Sequence, residues 1–175
     1  MKYLLLSFFC FYMVAVNAQS GAGVFEASAD IGNPKLKGSS SFDPATQTYT
    51  LKGAGYNIWF ERDEFHYLYN KIKGDFILTA NFEFVGAGTD PHRKIGWMVR
   101  ANNDEKASHF SAVAHGDGLM VAQWRVLRGA FMRDPEDEIF AKKSNYQIIQ
   151  VERMGKKFIM RAAHVGEPLQ MIRST

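Results

Sequence analysis

GDFILTANFEFVGAGTDPHRKIGWMVRANNDEKASHFSAVAHGDGLMVAQWR, residues 74–125, decides the fold. Phe76, Leu78, Ala80 and Phe82 alternate with Ile77, Thr79, Asn81 and Glu83, and further strand-like runs follow at Ile95 to Arg100, His109 to His115 and Leu119 to Arg125. Successive side chains of a strand point to opposite faces, so alternation of this kind predicts half-buried strands. Short polar turns join them, the last being His115-Gly116-Asp117-Gly118, and the whole reads as an antiparallel meander.

The pattern continues in both directions. Upstream, a weak strand is expected around Gly23 to Ala29, another at Tyr49 to Leu51 after the Asp43-Pro44 turn, and short aromatic strands at Asn57 to Phe60 and at Phe65, Tyr67 and Tyr69. Downstream, Tyr146 to Arg153 and Phe158 to Ala163 form a hairpin around Met154-Gly155-Lys156, while Asp134-Pro135-Glu136-Asp137-Glu138 reads as a solvated acidic loop. No segment sustains the 3.6-residue apolar period of a helix. The expected fold is therefore all-β, a two-sheet antiparallel jelly-roll sandwich. No strand is predicted for the tail, Gln170 to Thr175, which would leave one sheet edge unpaired and open to a partner chain.

The N-terminus reads as a secretory signal, residues 1–18: Lys2, an apolar run from Tyr3 to Ala15, then Val16-Asn17-Ala18 as the cleavage site. That run is too short to span a bilayer. Export to the periplasm or outside the cell follows, with one domain expected over residues 19–175. Cys10 is the single cysteine and lies inside the signal, so neither disulfides nor a thiolate-bound metal are expected of the mature chain. The formal charge is +3, with basic residues scattered and not clustered, which excludes a nucleic-acid footprint.

Loop lengths then assign faces. If Arg100 pairs with His109 and the Gly116-Asp117 turn pairs residues on either side of it, one face collects Met98, Arg100, His109, Ser111, Val113, His115, Met120, Ala122 and Trp124. The other collects Ile95, Trp97, Val99, Phe110, Ala112, Ala114, Leu119, Val121, Gln123 and Arg125. The second set is the more apolar and is expected in the core, leaving the first as an open face. There Arg100, His109, Ser111, His115 and Trp124 would form a ligand groove, an indole stacking on the apolar face of a sugar and fixed donors reaching its hydroxyls. The plainer reading is an ordinary solvated sheet face.

Other constellations are weaker. His115-x-Asp117 is the one compact metal-like spacing, and it reads more simply as hairpin chemistry, so no metal and no cofactor are predicted. Asp63, His66, His92 and Arg93 would have to meet at one end of the sandwich to act as an acid/base group. No glycine elbow surrounds Ser108 or Ser111, and no catalytic residue is assigned. Glu136 to Glu138 are contiguous, unlike the spaced carboxylates that strand alternation aims into a glucanase cleft.

Several motifs together carry a resemblance: Asn57-x-Trp59-Phe60, Asp63-Glu64-Phe65-His66, Gly74-Asp75-Phe76, His92-Arg93-Lys94-Ile95-Gly96-x-Met98-Val99-Arg100, His115-Gly116-Asp117-Gly118-Leu119 and Gln123-x-Arg125. Over most of Phe25 to Met171 the chain resembles the concanavalin-A-like (laminin-G-like) jelly-roll domain found at the N-terminus of secreted bacterial proteins that bear a TolB-type β-propeller. The resemblance implies an exported jelly roll with a glycan-associated role and supplies no catalytic residues. Members usually continue into a last strand and often a propeller, which this chain does not show. The sequence thus predicts an exported, non-enzymatic carbohydrate-binding or interaction module. The alternatives are a laminarinase-like glycoside hydrolase, which needs two carboxylates on one cleft, and a structural module docking on a propeller or partner chain.

Overall fold

The computed structural model describes residues 19–174, and the expected signal segment lies outside them. The described chain is all-β. Its strands are β1 (Gln19–Ser20), β2 (Ala27–Ile31), β3 (Ser39–Asp43), β4 (Thr48–Lys52), β5 (Ile58–Trp59), β6 (Arg62–Asp63), β7 (Phe65–Tyr69), β8 (Phe76–Asn81), β9 (Lys94–Arg100), β10 (His109–His115), β11 (Met120–Arg125), β12 (Glu138–Phe140), β13 (Ile148–Met154), β14 (Lys157–Ala163) and β15 (Gln170–Ser174). No helix among the described residues is long and apolar enough to cross a membrane.

Two four-stranded antiparallel sheets, ordered β12-β11-β10-β9 and β15-β14-β13-β8, share one core. From the first sheet come Phe110, Ala112, Ala114, Met120 and Ala122, and from the second Ile149, Val151, Met160 and Ala162. Small alanines on one sheet face larger aliphatic side chains on the other, which lets the layers interdigitate. Phe110 and Phe158 stack across the layers with centroids 5.4 Å apart, and the Trp97 indole donates to the Ile149 carbonyl at 3.3 Å. A three-stranded sheet, β1-β2-β7, and the two-stranded pairs β3-β4 and β5-β6 complete the fold.

From Ile95 to Arg125 the meander forms where the sequence places it, and Arg100 does pair with His109. The Phe76 run is not its neighbour: β8 belongs to the other sheet and pairs with β13, because the long loop after it crosses between the layers. The next register differs from expectation: Phe110 pairs with Trp124, and Ala114 with Met120. The connection is a three-residue loop, with His115 N–H bonded to the Leu119 carbonyl at 2.7 Å and Gly118 N–H to the His115 carbonyl at 3.0 Å. Gly118 sits at φ 92° in this turn. An odd loop reverses the face assignment of every β11 side chain relative to the reading from sequence. Trp124, Ala122 and Met120 therefore join Phe110 on the sandwich face, while Val121, Gln123 and Arg125 share a face with His109 and Ser111.

The second correction concerns that polar face, which is not open. His109, Ser111, His115, Gln123 and Arg125 are all buried. The segment 57–67 lies over them: Lys94 Nζ donates to Asn57 Oδ1 at 2.9 Å, Arg125 ion-pairs with Asp63, and the Tyr67 hydroxyl donates to the Met98 carbonyl at 2.8 Å. Burial pushes the Tyr67 phenol up to about 12.

Further differences lie at the periphery. The tail is not strandless, because β15 pairs antiparallel with β14 through a bulge at Met160/Arg161. The Ser-rich stretch that gave no strand signal forms β3, paired with β4. The acidic loop is only partly solvated, since Asp137 and Glu138 are buried. Asp137 pairs with Arg133, whereas Glu138 opens β12 and accepts from Gln123.

Substituting Gly118 by alanine tests the turn. A Cβ there would meet Asn145 Oδ1 at 2.2 Å on a backbone that disfavours side chains. The expected loss is about 1–3 kcal/mol, read from urea denaturation.

Candidate functional site

Arg100, His109 and Arg125 stand at one level across β9, β10 and β11, because His109 is the register partner of both arginines. Antiparallel pairing puts the three side chains on one face, so two guanidiniums and an imidazole crowd a small volume. A single carboxylate, that of Asp63 from the β5-β6 hairpin, fills the space between them. Arg125 grips it with both terminal nitrogens, Nη1 to Oδ2 at 2.9 Å and Nη2 to Oδ1 at 2.8 Å, and Arg100 Nη1 reaches Oδ2 at 3.1 Å. These side chains are almost wholly buried.

The guanidiniums have donors to spare, and loop carbonyls take them. Arg125 binds the carbonyls of Phe60, Ala107 and Ala130. Arg100 binds those of Asn102 and Asp104. One ion cluster therefore fixes the β5-β6 hairpin and the loops after β9 and β11.

His109 lies in the same cluster but is not part of an ion pair. Its Nε2 is 3.8 Å from Asp63 Oδ1 and its Nδ1 is 2.9 Å from Ser111 Oγ. Burial dominates and the two neighbouring arginines assist, taking the imidazole down to about 3 against the opposing pull of Asp63. Asp63, which already faces two guanidiniums, does not reverse that downward direction.

A second polar group occupies the other end of the face. His115 is held down to about 4, chiefly by burial with Lys94 adding to it. Burial also lowers Lys94 and raises Glu138, each partly compensated by the other's charge. Gln123 Nε2 donates to Glu138 Oε2 at 2.9 Å, leaving Gln123 Oε1 buried without a protein partner.

The predicted ligand set is thus divided. Arg100, His109, Ser111 and His115 share one covered face, while Trp124 lies on the sandwich side, packed against the core. The expected groove is not formed. Nor do Asp63, His66, His92 and Arg93 meet: His66 bonds to Asp30 and Ser40, His92 approaches His115, and Arg93 caps the carbonyls of Val85 and Gly86.

Open surface with recognition chemistry lies elsewhere, around the tip of the β5-β6 hairpin. A hollow of about 210 Å³ is lined by Tyr56, Trp59, Phe60, Glu61 and Arg62. A second, of about 150 Å³, includes Trp124, Leu127, Phe131, Met132, Arg133 and Asp137. The Phe60 and Phe131 rings, one from each hollow, are in contact with centroids 5.3 Å apart. Arg62 pairs with Glu64 beside the first hollow and lies over the Tyr56 ring, and Arg133 pairs with Asp137 beside the second. Of the five predicted residues, Trp124 borders this surface. Tyr56 and Phe131 carried no signal, because an exposed aromatic in a loop has no periodicity to betray it.

Phe60 is conformationally unusual. It occupies the first loop position of the β5-β6 hairpin at φ 55°, where the mirror-image turns favour glycine. Two bonds to its carbonyl, from Arg125 and from the Met132 N–H, hold it there.

No protein-family model matches this chain, and no curated protein or solved structure matches it either.

Two measurements check the buried cluster. Asp63→Asn leaves two buried guanidiniums uncompensated and is expected to cost about 3–5 kcal/mol in urea denaturation. For His109, folding lowers the pKa from its ordinary 6.5, so the unfolded chain binds the extra proton as pH falls from about 6.5 toward 3. Stability is full above that window and decreases on acidification within it. His109→Gln should remove about one proton from the slope of unfolding free energy against pH between about 4 and 5.5, and about half a proton near 6.5.

Proposed function

We propose that this chain is an exported, non-enzymatic carbohydrate-binding module on a jelly-roll sandwich of the concanavalin-A-like type, with its ligand surface at the β5-β6 hairpin tip. The observation that carries the reading is Phe60. A bulky residue held at positive φ costs on the order of 1–2 kcal/mol where glycine would cost nothing, and such strain persists where the side chain is used. Its ring, with Phe131 at 58% and Tyr56 at 65% exposure, makes an aromatic surface shallow enough for a sugar ring to lie on. The Arg62 and Arg133 guanidiniums beside it, held by the largely buried Glu64 and Asp137, present the charged donors that hydroxyls require. Trp124 supplies part of the wall from beneath, which keeps an indole in the site on different grounds from those given by its sequence position.

A second reading has its own support. Val126 and Leu127 are each 69% exposed beside the same aromatics and offer nothing to a hydroxyl, which favours a partner chain docking over this surface. Affinity electrophoresis and a glycan array on the chain distinguish the two. The first reading expects retention that falls tenfold or more in Phe131→Ala and in Phe60→Gly, with Phe60→Gly keeping its melting temperature because the backbone is relieved. Retention that is absent, or unchanged in both variants, removes the carbohydrate reading. Concentration-dependent sedimentation abolished by Phe131→Ala and Leu127→Ser supports docking instead.

A further inference from the structure

His92 and His115 face each other where the β8-β9 loop meets the end of β10. Their Nδ1 atoms are 3.3 Å apart and their rings are nearly perpendicular, at 89°. Backbone bonds preform the approach: Gly116 N–H to the Arg93 carbonyl and Asp117 N–H to the Pro91 carbonyl, each at 2.9 Å, zip the two loops together. The His92 N–H is itself held by Asp90 Oδ1 at 2.7 Å. The backbones that carry the two imidazoles are thus held side by side.

The contact is a poor hydrogen bond and a good bite. At 3.3 Å it lies beyond the usual range for a nitrogen donor. Two nitrogens bound to one tetrahedral ion at 2.0–2.1 Å stand roughly 3.3–3.4 Å apart, which is the spacing found. His115 is 6% exposed, and the long contact to His92 is the one polar contact its Nδ1 makes among the described residues, so that nitrogen gives up no strong protein hydrogen bond in binding an ion. Asp90 and Asp117 add negative charge at this end of the sheet, opposed by Lys94 and by the neighbouring Arg93.

We propose that His92 and His115 form a two-imidazole site for a divalent transition metal of the zinc, nickel and copper class, the ions imidazole suits. Among the described residues no third His, Cys, Asp or Glu completes a three-ligand group. Water or an added ligand therefore takes the remaining positions, and the site is open on the side of the exposed His92. It is independent of the aromatic surface proposed for carbohydrate.

Titration calorimetry of the full chain, purified without a polyhistidine tag, with ZnCl2 tests it. The expected result is one saturable equivalent, weakened at least tenfold in His92→Ala, whose folding is checked by its metal-free melting temperature. Zinc should raise the melting temperature of the unsubstituted chain and not that of the variant. His164→Ala, which breaks the exposed His164–Glu167 pair, should bind as the parent does. No saturable binding to the parent, equal binding to His92→Ala, or loss in His164→Ala would each overturn the proposal. Copper bound in place of zinc gives an independent reading, since two equivalent nitrogens produce a richer superhyperfine multiplet in the electron paramagnetic resonance signal than one nitrogen does.

Discussion

The Arg100–His109–Arg125 end of the covered face of the β9–β12 sheet depends on one carboxylate. Asp63 meets two guanidiniums that strand register places at the same height on either side of β10. Without it, two like charges would be buried together beside an imidazole, an arrangement no apolar packing offsets. With it, the arginines are free to spend their other donors on loop carbonyls, and the segments at Phe60, Asn102, Asp104, Ala107 and Ala130 converge on one point. The Arg125 guanidinium that pairs with Asp63 also donates to the Phe60 carbonyl, so the buried ion group and the aromatic surface are mechanically linked.

The opposite side of the sheet is held by a different force. Phe110, Ala112, Ala114, Met120 and Ala122 contribute little polar character and much contact with the second sheet, and burial of their apolar area is what joins the layers. β10 lies between the two regimes, buried along its whole length. An antiparallel strand usually keeps one wet face, and this one does not.

How far the chain could be read in advance follows from which interactions are local. Strand positions at Ile95 to Arg100 and His109 to His115 are legible because alternation is a property of neighbours, and the Arg100–His109 pairing was set by a loop of definite length. The Gly116-Asp117-Gly118 turn defeated the same argument. Glycines at both ends allow either an even or an odd connection, and the difference of one residue exchanges Trp124 with Arg125. The covering segment was illegible for another reason: Asp63 is 37 residues from Arg100 and 62 from Arg125, and nothing in sequence marks which carboxylate will neutralise which arginine. Glu138 looked solvated because it ends an acidic run. Its burial comes from pairing with Gln123 on a neighbouring strand. Of the candidate ligand surface, Trp59, Phe60 and Trp124 stand out in sequence as aromatics, while Tyr56 and Phe131 lie in loop tips, where side-chain spacing carries no geometric information.

The wholly enclosed β10 has a consequence for assembly. Its two sides demand incompatible chemistry, charge-matched hydrogen bonding on one and aliphatic contact on the other. A slip of one residue would drive His109 and Ser111 into the alanine layer and carry Phe110 toward the carboxylate. Neither side tolerates the mistake, so both proofread the same alignment, and a strand with this double check has a single viable neighbour arrangement.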